Sequence, residues 1–158
     1  MNKTLVAYFS VSGTTAGVAR RLAAVTGADL YEIKPRQKYT AADLDWTDPS
    51  SRSTVEMKNL SARPEIQSTF DLSNYQVIFV GFPIWWYLAP TIVNSFLESG
   101  DLRGKTVVPF ATSGGSGLGR TVAHLSGSCP GARLLTGKRL AADISVEELK
   151  EWVKSLEI

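Results

Sequence analysis

Residues 4–26 read TLVAYFSVSGTTAGVARRLAAVT, and the change of rhythm inside this stretch decides the fold. Residues 4–9, TLVAYF, are continuously apolar and rich in strand formers. A run of that kind predicts a strand buried on both faces, as in a parallel sheet. From residue 14 to 26 the period changes. Val18, Leu22 and Val25 recur at i, i+4 and i+7 while Arg20 and Arg21 point elsewhere, which predicts an amphipathic helix ended by Gly27. Between the two lies SVSGTT, residues 10–15, with four hydroxyls, one glycine and no basic residue.

Working outward, the same alternation repeats. Residues 29–34, DLYEIK, alternate apolar and polar and predict a strand near an edge. Residues 76–82, QVIFVGF, are the strongest strand, followed by a helix over 91–99 with Ile92, Val93, Phe96 and Leu97 on one side. Residues 105–111, KTVVPFA, predict another strand, to which Pro109 is an objection because it has no N–H to donate. A helix over 117–126 and a weaker strand over 133–141 follow. Ser145 with Glu148 forms a capping-box pattern that opens a last helix carrying Leu149, Val153 and Leu156.

This order predicts a single domain over residues 1–158, an α/β doubly wound parallel sheet of about five strands. The polar segment 35–75 stands apart as an insertion-like stretch with three of the seven prolines. So long a span without structure is uncommon in a compact domain, so short helices are expected around 41–46 and 50–59.

Composition narrows the function. The 158 residues suffice for one core, and 44% hydrophobic with 20% charged residues is ordinary for a soluble globular protein. A formal charge of +2 gives no reason to expect a nucleic-acid or membrane partner. The N-terminus lacks the pattern of a signal peptide, and no apolar run approaches the roughly 20 residues of a membrane span. Cys129 is the only cysteine, which rules out an internal disulfide and fits a cytoplasmic setting.

In an open α/β sheet ligands bind beyond the carboxyl ends of the strands. Three loops there carry chemistry. In SVSGTT, the helix start offers free N–H groups and the positive end of the dipole, Gly13 permits close approach, and Ser10, Ser12, Thr14 and Thr15 add hydroxyls. The loop is either a phosphate anchor or a turn capped by Ser12 or Thr14. Neither GxxxxGK[ST] nor GxGxxG is present after the first strand, which disfavours a nucleoside triphosphate or a dinucleotide. The second loop sets Trp85, Trp86 and Tyr87 in a row between Pro83 and Pro90. Three consecutive large aromatics cannot all face one core, so at least one belongs on the surface, suited to stacking on a flat ring. The third loop, Thr112 to Gly119, has four glycines in eight positions; Gly114 and Gly115 would let backbone N–H groups approach a planar ligand. Together the loops describe a ligand with a phosphate at one end and a flat polar ring at the other.

The sequence resembles the flavodoxin family. SVSGTT is similar to that family's phosphate loop, [ST]-x-[ST]-G-x-T, and GFPIWWYLAP and PFATSGGSGLG resemble the flavin-ring loops of a bacterial flavodoxin-like subgroup. The long segment PRQKYTAADLDW…SRSTVEMKNLSARPEI also looks like that subgroup, so the resemblance covers nearly the whole chain. It implies strand order 2-1-3-4-5, the arrangement for which flavodoxin itself is the standard example, with FMN at the switch point. It implies further that Ser10, Ser12, Gly13, Thr14 and Thr15 hold the FMN phosphate. Pro83, Ile84, Trp85, Trp86 and Tyr87 would line the isoalloxazine, and Thr112, Ser113, Gly114 and Gly115 would meet its pyrimidine edge or the ribityl chain. Stacked aromatics without nearby cations would lower the reduction potential by disfavouring an anionic reduced flavin.

Two features depart from the family. Electron-carrying flavodoxins are strongly acidic, whereas this chain is slightly basic, with Arg36, Lys38, Arg52, Lys58 and Arg63 in the long segment. That segment could also fold over the flavin site and make a substrate pocket. Three functions follow: an FMN electron carrier between redox partner proteins, a small FMN-dependent NAD(P)H reductase of quinone-like acceptors, or a non-redox module for another phosphorylated ligand, against which the three aromatics count. His124, the only histidine, is expected to be a surface or helix-packing residue, and Asp43, Asp45 and Asp48 have the spacing of caps and turns rather than a metal site. Nothing beside Cys129 suggests a reactive thiol.

Overall fold

The computed structural model describes residues 3–112, 118 and 120–158. The first strand, β1 (Lys3–Tyr8), leads through a short turn into α1 (Thr14–Thr26) and then β2 (Asp29–Glu32). After the long segment, which contains α2 (Arg52–Lys58), come β3 (Tyr75–Pro83), α3 (Thr91–Leu97), β4 (Thr106–Thr112) and α4 (Thr121–Ser126). Two short strands, β5 (Arg133–Leu134) and β6 (Lys138–Arg139), precede α5 (Val146–Ser155). The sheet is parallel, in the order β2-β1-β3-β4-β5, with β6 also paired to β4.

The apolar runs are continuous because both sheet faces are covered. Leu5 and Ala7 of β1 and Ile78, Val80 and Phe82 of β3 pack with Ile92, Val93 and Phe96 of α3. The alternate residues, Val6, Tyr8, Val77 and Phe79, pack on the opposite face with Val18 and Leu22 of α1 and Leu149 and Trp152 of α5. Side chains alternate across a strand, so two cores require two interleaved apolar sets. Gly81 shows how tight the sheet is: a Cβ there would lie 2.2 Å from the Phe110 ring.

The expected strand over 133–141 is split in two. The carbonyls of Lys105, Val107 and Ala111 accept from the N–H groups of Arg133, Leu135 and Leu140, so this edge of β4 faces β5 and β6. Pro109 falls on the same edge and cannot donate, so the ladder breaks opposite it. Gly137, at φ +76°, closes over the Pro109 carbonyl, where a Cβ would sit 2.2 Å from the oxygen.

The helices over 14–26 and after Ser145 form as expected. Gly27 is left-handed at the end of α1, and Ser145 Oγ accepts from the Glu148 N–H at 3.1 Å. In α5 the sequence pattern missed Trp152, which is buried edge-on to Phe79. The helix expected over 41–46 is only a turn: Thr40 and Asp43 cap each other's N–H groups at 2.9 and 3.1 Å, and the asparagine-like turns of Asp45 and Asp48 then divert the backbone.

The long segment is pinned at its base and under its middle. Pro35 and Ile66 form an antiparallel bridge flanked by Arg36 N–H to Glu65 O and Gln67 N–H to Lys34 O. Tyr39 is buried, with its ring edge-on to Phe9 and Trp85 at 5.6 and 5.5 Å. Its hydroxyl donates to Glu56 at 2.5 Å, and the Arg52 guanidinium lies 3.8 Å over its ring while pairing with Glu56. Burial, and then the Glu56 carboxylate, push the Tyr39 phenol pKa well up, so it stays a donor.

Candidate functional site

The strand ends from which the three chemistry-bearing loops leave lie side by side at the carboxyl edge of the sheet. Phe9 N–H donates to Gly81 O at 2.9 Å, Ile84 N–H to Thr112 O at 3.4 Å, and the hydroxyls of Thr15 and Thr112 lie 2.7 Å apart. Ser113, Gly114 and Gly115 lie outside the described residues; Thr112 is buried at the base of its loop.

The first loop is not a plain capped turn. Gly13 precedes α1 at φ 91° and has no side chain with which to cap the helix. Ser12 Oγ donates instead to Thr14 Oγ1 at 3.3 Å. Ser10 Oγ accepts from the N–H groups of Gly13 and Ala16 at 3.1 and 3.3 Å, which folds the loop around that hydroxyl. N–H groups in the first turn have no acceptor inside the helix, and the helix dipole adds positive potential at the same point. Ser12, Gly13 and Thr14 are exposed around them, and a Cβ on Gly13 would meet nothing within 4 Å. Such a concavity can hold an anion without a cation. Cations are nevertheless close: a cavity of about 490 Å³ that includes Ser10 and Val11 is edged by Lys34, Arg36 and Lys38, with Glu32 among them.

In the second loop Trp85 and Leu88 exchange backbone hydrogen bonds at 2.9 and 3.0 Å, which makes Trp86 and Tyr87 the central pair of a tight turn. Both have positive φ, 47° and 67°. Two consecutive left-handed residues define a type I′ turn, normally made by Asn and Gly. Large aromatics there cost of order 1–3 kcal/mol each, and strain of this kind gathers at ligand sites. The expected division of the three rings is present: Trp85 packs edge-on to Phe9 and Tyr39, while Trp86 and Tyr87 are 44% and 67% exposed.

These rings open onto a cavity of about 420 Å³, with Val11, Ile84 and the three aromatics on one side. The other side belongs to the long segment, through Leu44, Trp46 and Ser53. The segment thus borders the aromatic loop, but those three residues and Tyr39 do not stand out in the sequence. Trp46, a large apolar ring among the turn-formers of DLDWTDP, is the one signal that could have found them.

The remaining candidates are structural. Asp45 and Asp48 accept from N–H groups two residues on, at 3.0 and 2.8 Å. Cys129 is buried, which pushes its thiol pKa up, and its sulfur lies 3.5 Å from Leu125 O. His124 packs between α4 and the end of the aromatic loop, bonded to the Ala89 backbone. Among the described residues, no helix is long and apolar enough to cross a membrane.

Comparison with known proteins shows the family and the fold. The flavodoxin family profile matches residues 3–156. No curated protein is similar enough to match. A solved structure of a candidate flavoprotein from Bacteroides eggerthii DSM 20697 is 46% identical over 100% of this chain and 99% of that one, with a TM-score of 0.94. Another, from Bacteroides uniformis ATCC 8492, is 50% identical over 97% and 98%, with a TM-score of 0.91. A flavoprotein from Lactobacillus acidophilus NCFM, solved in complex with FMN, is 25% identical over 97% and 99%, with a TM-score of 0.69.

Proposed function

The chain belongs to the flavodoxin family, and from that premise we propose that it binds FMN across the carboxyl edge of its sheet and serves in electron transfer. One observation carries the reading: Val11 of the open helix-start loop and the rings of Trp85, Trp86 and Tyr87 line the same cavity. The residues fit the group. The α1 start has an open face at Gly13 and leaves the Thr14 and Thr15 N–H groups without a side-chain cap, which suits a monoester phosphate, and the cavity beside it is walled by flat rings with no charged side chain among them.

In this reading the backbone N–H groups of Val11, Ser12, Thr14 and Thr15 and the hydroxyls of Ser12 and Thr14 hold the phosphate, with Gly13 giving it room to approach. Ser10 and Thr15 act one step back, Ser10 by shaping the loop and Thr15 by tying it to Thr112. Pro83 and Ile84 set the path of the aromatic loop, Trp86 and Tyr87 offer ring faces, and Trp85 anchors them to the core. Thr112, with Ser113, Gly114 and Gly115, is assigned to the pyrimidine edge or ribityl chain. Bound FMN supplies one- and two-electron redox chemistry. The protein supplies position and a ring cavity without charged lining side chains, which disfavours an extra negative charge on the ring and so lowers its potential. Residence in the cytoplasm, with redox proteins or a small molecule as electron acceptor, completes the reading.

A second reading, an FMN-dependent NAD(P)H reductase of quinone-like acceptors, is favoured by the wall that Leu44, Trp46 and Ser53 build across the cavity. Such a wall suits a small molecule better than a docking protein. Adding FMN to the purified protein tests the shared premise: the expected outcome is a yellow complex with shifted flavin absorption, and a protein that takes up none defeats both readings. Mixing the complex with NADH or NADPH without oxygen separates them. Rapid bleaching favours the reductase; reduction only through a separate flavoprotein reductase favours the carrier.

A further inference from the structure

We propose that the basic cavity at the end of β2 is a binding site for the 2′-phosphate of a nicotinamide dinucleotide, so that the phosphorylated form, NADP(H), is preferred to NAD(H). The proposal rests on the reductase reading for the ligand's role as electron donor; the anion site itself stands on the cavity. Three observations carry it.

The first is charge. Lys34, Arg36 and Lys38 edge one cavity of about 490 Å³, with one carboxylate, Glu32, among them. Arg36 is already paired with Glu65 at 2.8 Å. Lys34 and Lys38 are exposed, and their ammonium groups hold no hydrogen bond or ion pair among the described residues. The backbone that carries them is fixed all the same. Gln67 N–H donates to Lys34 O at 2.7 Å and Arg36 N–H to Glu65 O at 2.8 Å, on either side of the Pro35–Ile66 bridge. Arg52 Nη1 donates to Gln37 O at 2.6 Å, just before Lys38. Two unpaired cations around one concavity suit a dianion, and a phosphate monoester carries close to two charges at neutral pH.

The second is separation from the flavin site. The basic cavity lies at the end of β2, whereas the aromatic loop leaves β3 on the other side of β1. Tyr39 lines the basic cavity and Trp85 the aromatic one, and their rings pack edge-on at 5.5 Å as a partition. Among the described residues, Val11 lines both chambers. The third is the fit to a long ligand. A nicotinamide dinucleotide has a flat ring at one end and an adenosine at the other, and only its phosphorylated form adds a monoester at the adenosine end. With the nicotinamide end at the rim of the flavin chamber, the far end would pass Val11 and meet the lysines over the apolar surfaces of Phe9, Pro35 and Tyr39. Concavities that join apolar walls to a few placed polar groups are the usual form of a small-molecule site.

The test uses the FMN-loaded, oxidised protein with NADP⁺ and NAD⁺, which cannot reduce it and differ only in the 2′-phosphate. FMN then fills the loop at α1 with its own phosphate, so binding at the lysines is read by itself. Heat and flavin absorption follow each titration at low salt. NADP⁺ is expected to bind about tenfold more tightly than NAD⁺, and the preference should shrink as added salt screens the exposed lysines. Lys34→Gln and Lys38→Gln should each weaken NADP⁺ binding about threefold, within the usual range of an exposed ion pair. The double variant should bind NADP⁺ no better than NAD⁺. Affinities for NAD⁺ and FMN should stay at wild type in all three. NAD⁺ binding as tightly as NADP⁺ would overturn the proposal and give the cavity to ribose hydroxyls on Glu32. No binding of either probe would overturn it too, as would a loss of FMN affinity in the lysine variants, which would assign the lysines to the FMN phosphate. A preference for NADP⁺ without bleaching by NADPH would keep the site and refute the reductase reading alone. Should the protein take up no FMN, the flavin readings fail on their own, and the same titrations of the unloaded protein and its lysine variants decide the site.

Discussion

At the α1 end of the cleft the polar groups come from six consecutive residues, Ser10 to Thr15, whereas at the β3 end the walls come from two distant parts of the chain, Trp85–Tyr87 and Leu44–Ser53. The first end is made of backbone: a left-handed glycine, a hydroxyl that gathers two N–H groups, and a helix start. The second is made of side chains held by tertiary packing, with Tyr39 and Trp85 as the joint. The difference teaches where each end is vulnerable. The backbone end should resist substitution except where charge or conformation is changed, while the ring end should fail when its joint is removed.

Trp85→Ala tests the joint and should have the largest effect. It removes the edge-on packing against Phe9 and Tyr39 and leaves a void under the turn; for a half-buried tryptophan a loss of about 2–3 kcal/mol is expected. Urea unfolding followed by circular dichroism measures it, with Trp86→Ala as the control, expected within about 0.5 kcal/mol of wild type. Equal losses in the two variants would show that the loop has no division into anchor and exposed face.

At the other end, Thr14→Glu should do nearly the opposite. A carboxylate in the first turn of α1 suits the helix dipole and should stabilise the fold slightly, by about 0.3–1 kcal/mol. The same charge repels a phosphate and removes a charge-assisted hydrogen bond, so FMN affinity should fall roughly 10- to 100-fold. Titration of flavin fluorescence reads the affinity and a thermal melt reads the fold. Unchanged affinity would move the phosphate away from this loop.

This contrast also explains what could be read in the sequence. The α1 end is legible because its causes are local: an apolar run, a glycine, a helical period and a second glycine specify strand, turn and helix in one stretch. The β3–α3 unit is legible for the same reason, and three adjacent aromatics announce that one must be exposed. What is not legible is tertiary. Nothing near Tyr39 says that it meets Phe9 and Trp85, because that contact is set by how segment 35–75 crosses the sheet edge. Ser53 looks like any serine in a first helical turn until its burial is known. Pro109 gives a correct warning in the sequence, but only the direction of the β4 carbonyls shows that it interrupts the outer ladder rather than the strand itself. The turn over 41–44 looks like a helix in sequence because Thr40 and Asp43 form the same reciprocal cap that starts one.

The ring end can be sharpened by relieving its strain. Replacing Trp86 and Tyr87 together with Asn and Gly keeps the type I′ turn and removes two aromatics from positive φ. After subtraction of the packing that the two rings provide, a gain of about 1–2 kcal/mol is expected, together with weaker FMN binding. A rise in melting temperature with a loss of affinity would mark the two rings as present for the ligand. A fall in melting temperature would mean that they support the fold instead, and that the ring end is structural on both its faces.

The smallest effect concerns how α4 meets that turn. Burial, and then the Arg63 cation, hold the His124 imidazole pKa below its usual value, against a bond to the Ala89 backbone that raises it. Unfolded, the same imidazole takes a proton near pH 6.5. Between the depressed folded value and about pH 6.5 the unfolded state therefore binds more protons, so stability should fall as pH drops through that window and level off below it. Glu98 acts lower down: the hydrogen bond from Arg63 holds its carboxyl below the usual range, so its contribution is present above about pH 4.5 and is lost beneath it. Urea midpoints between pH 7 and pH 4 should thus show two slopes. His124→Gln should erase the upper slope and keep the lower one, and since the chain has no other histidine, the assignment is direct. An upper slope that survives in His124→Gln would mean that the imidazole is not its source and that α4 holds Ala89 and the aromatic turn through packing alone.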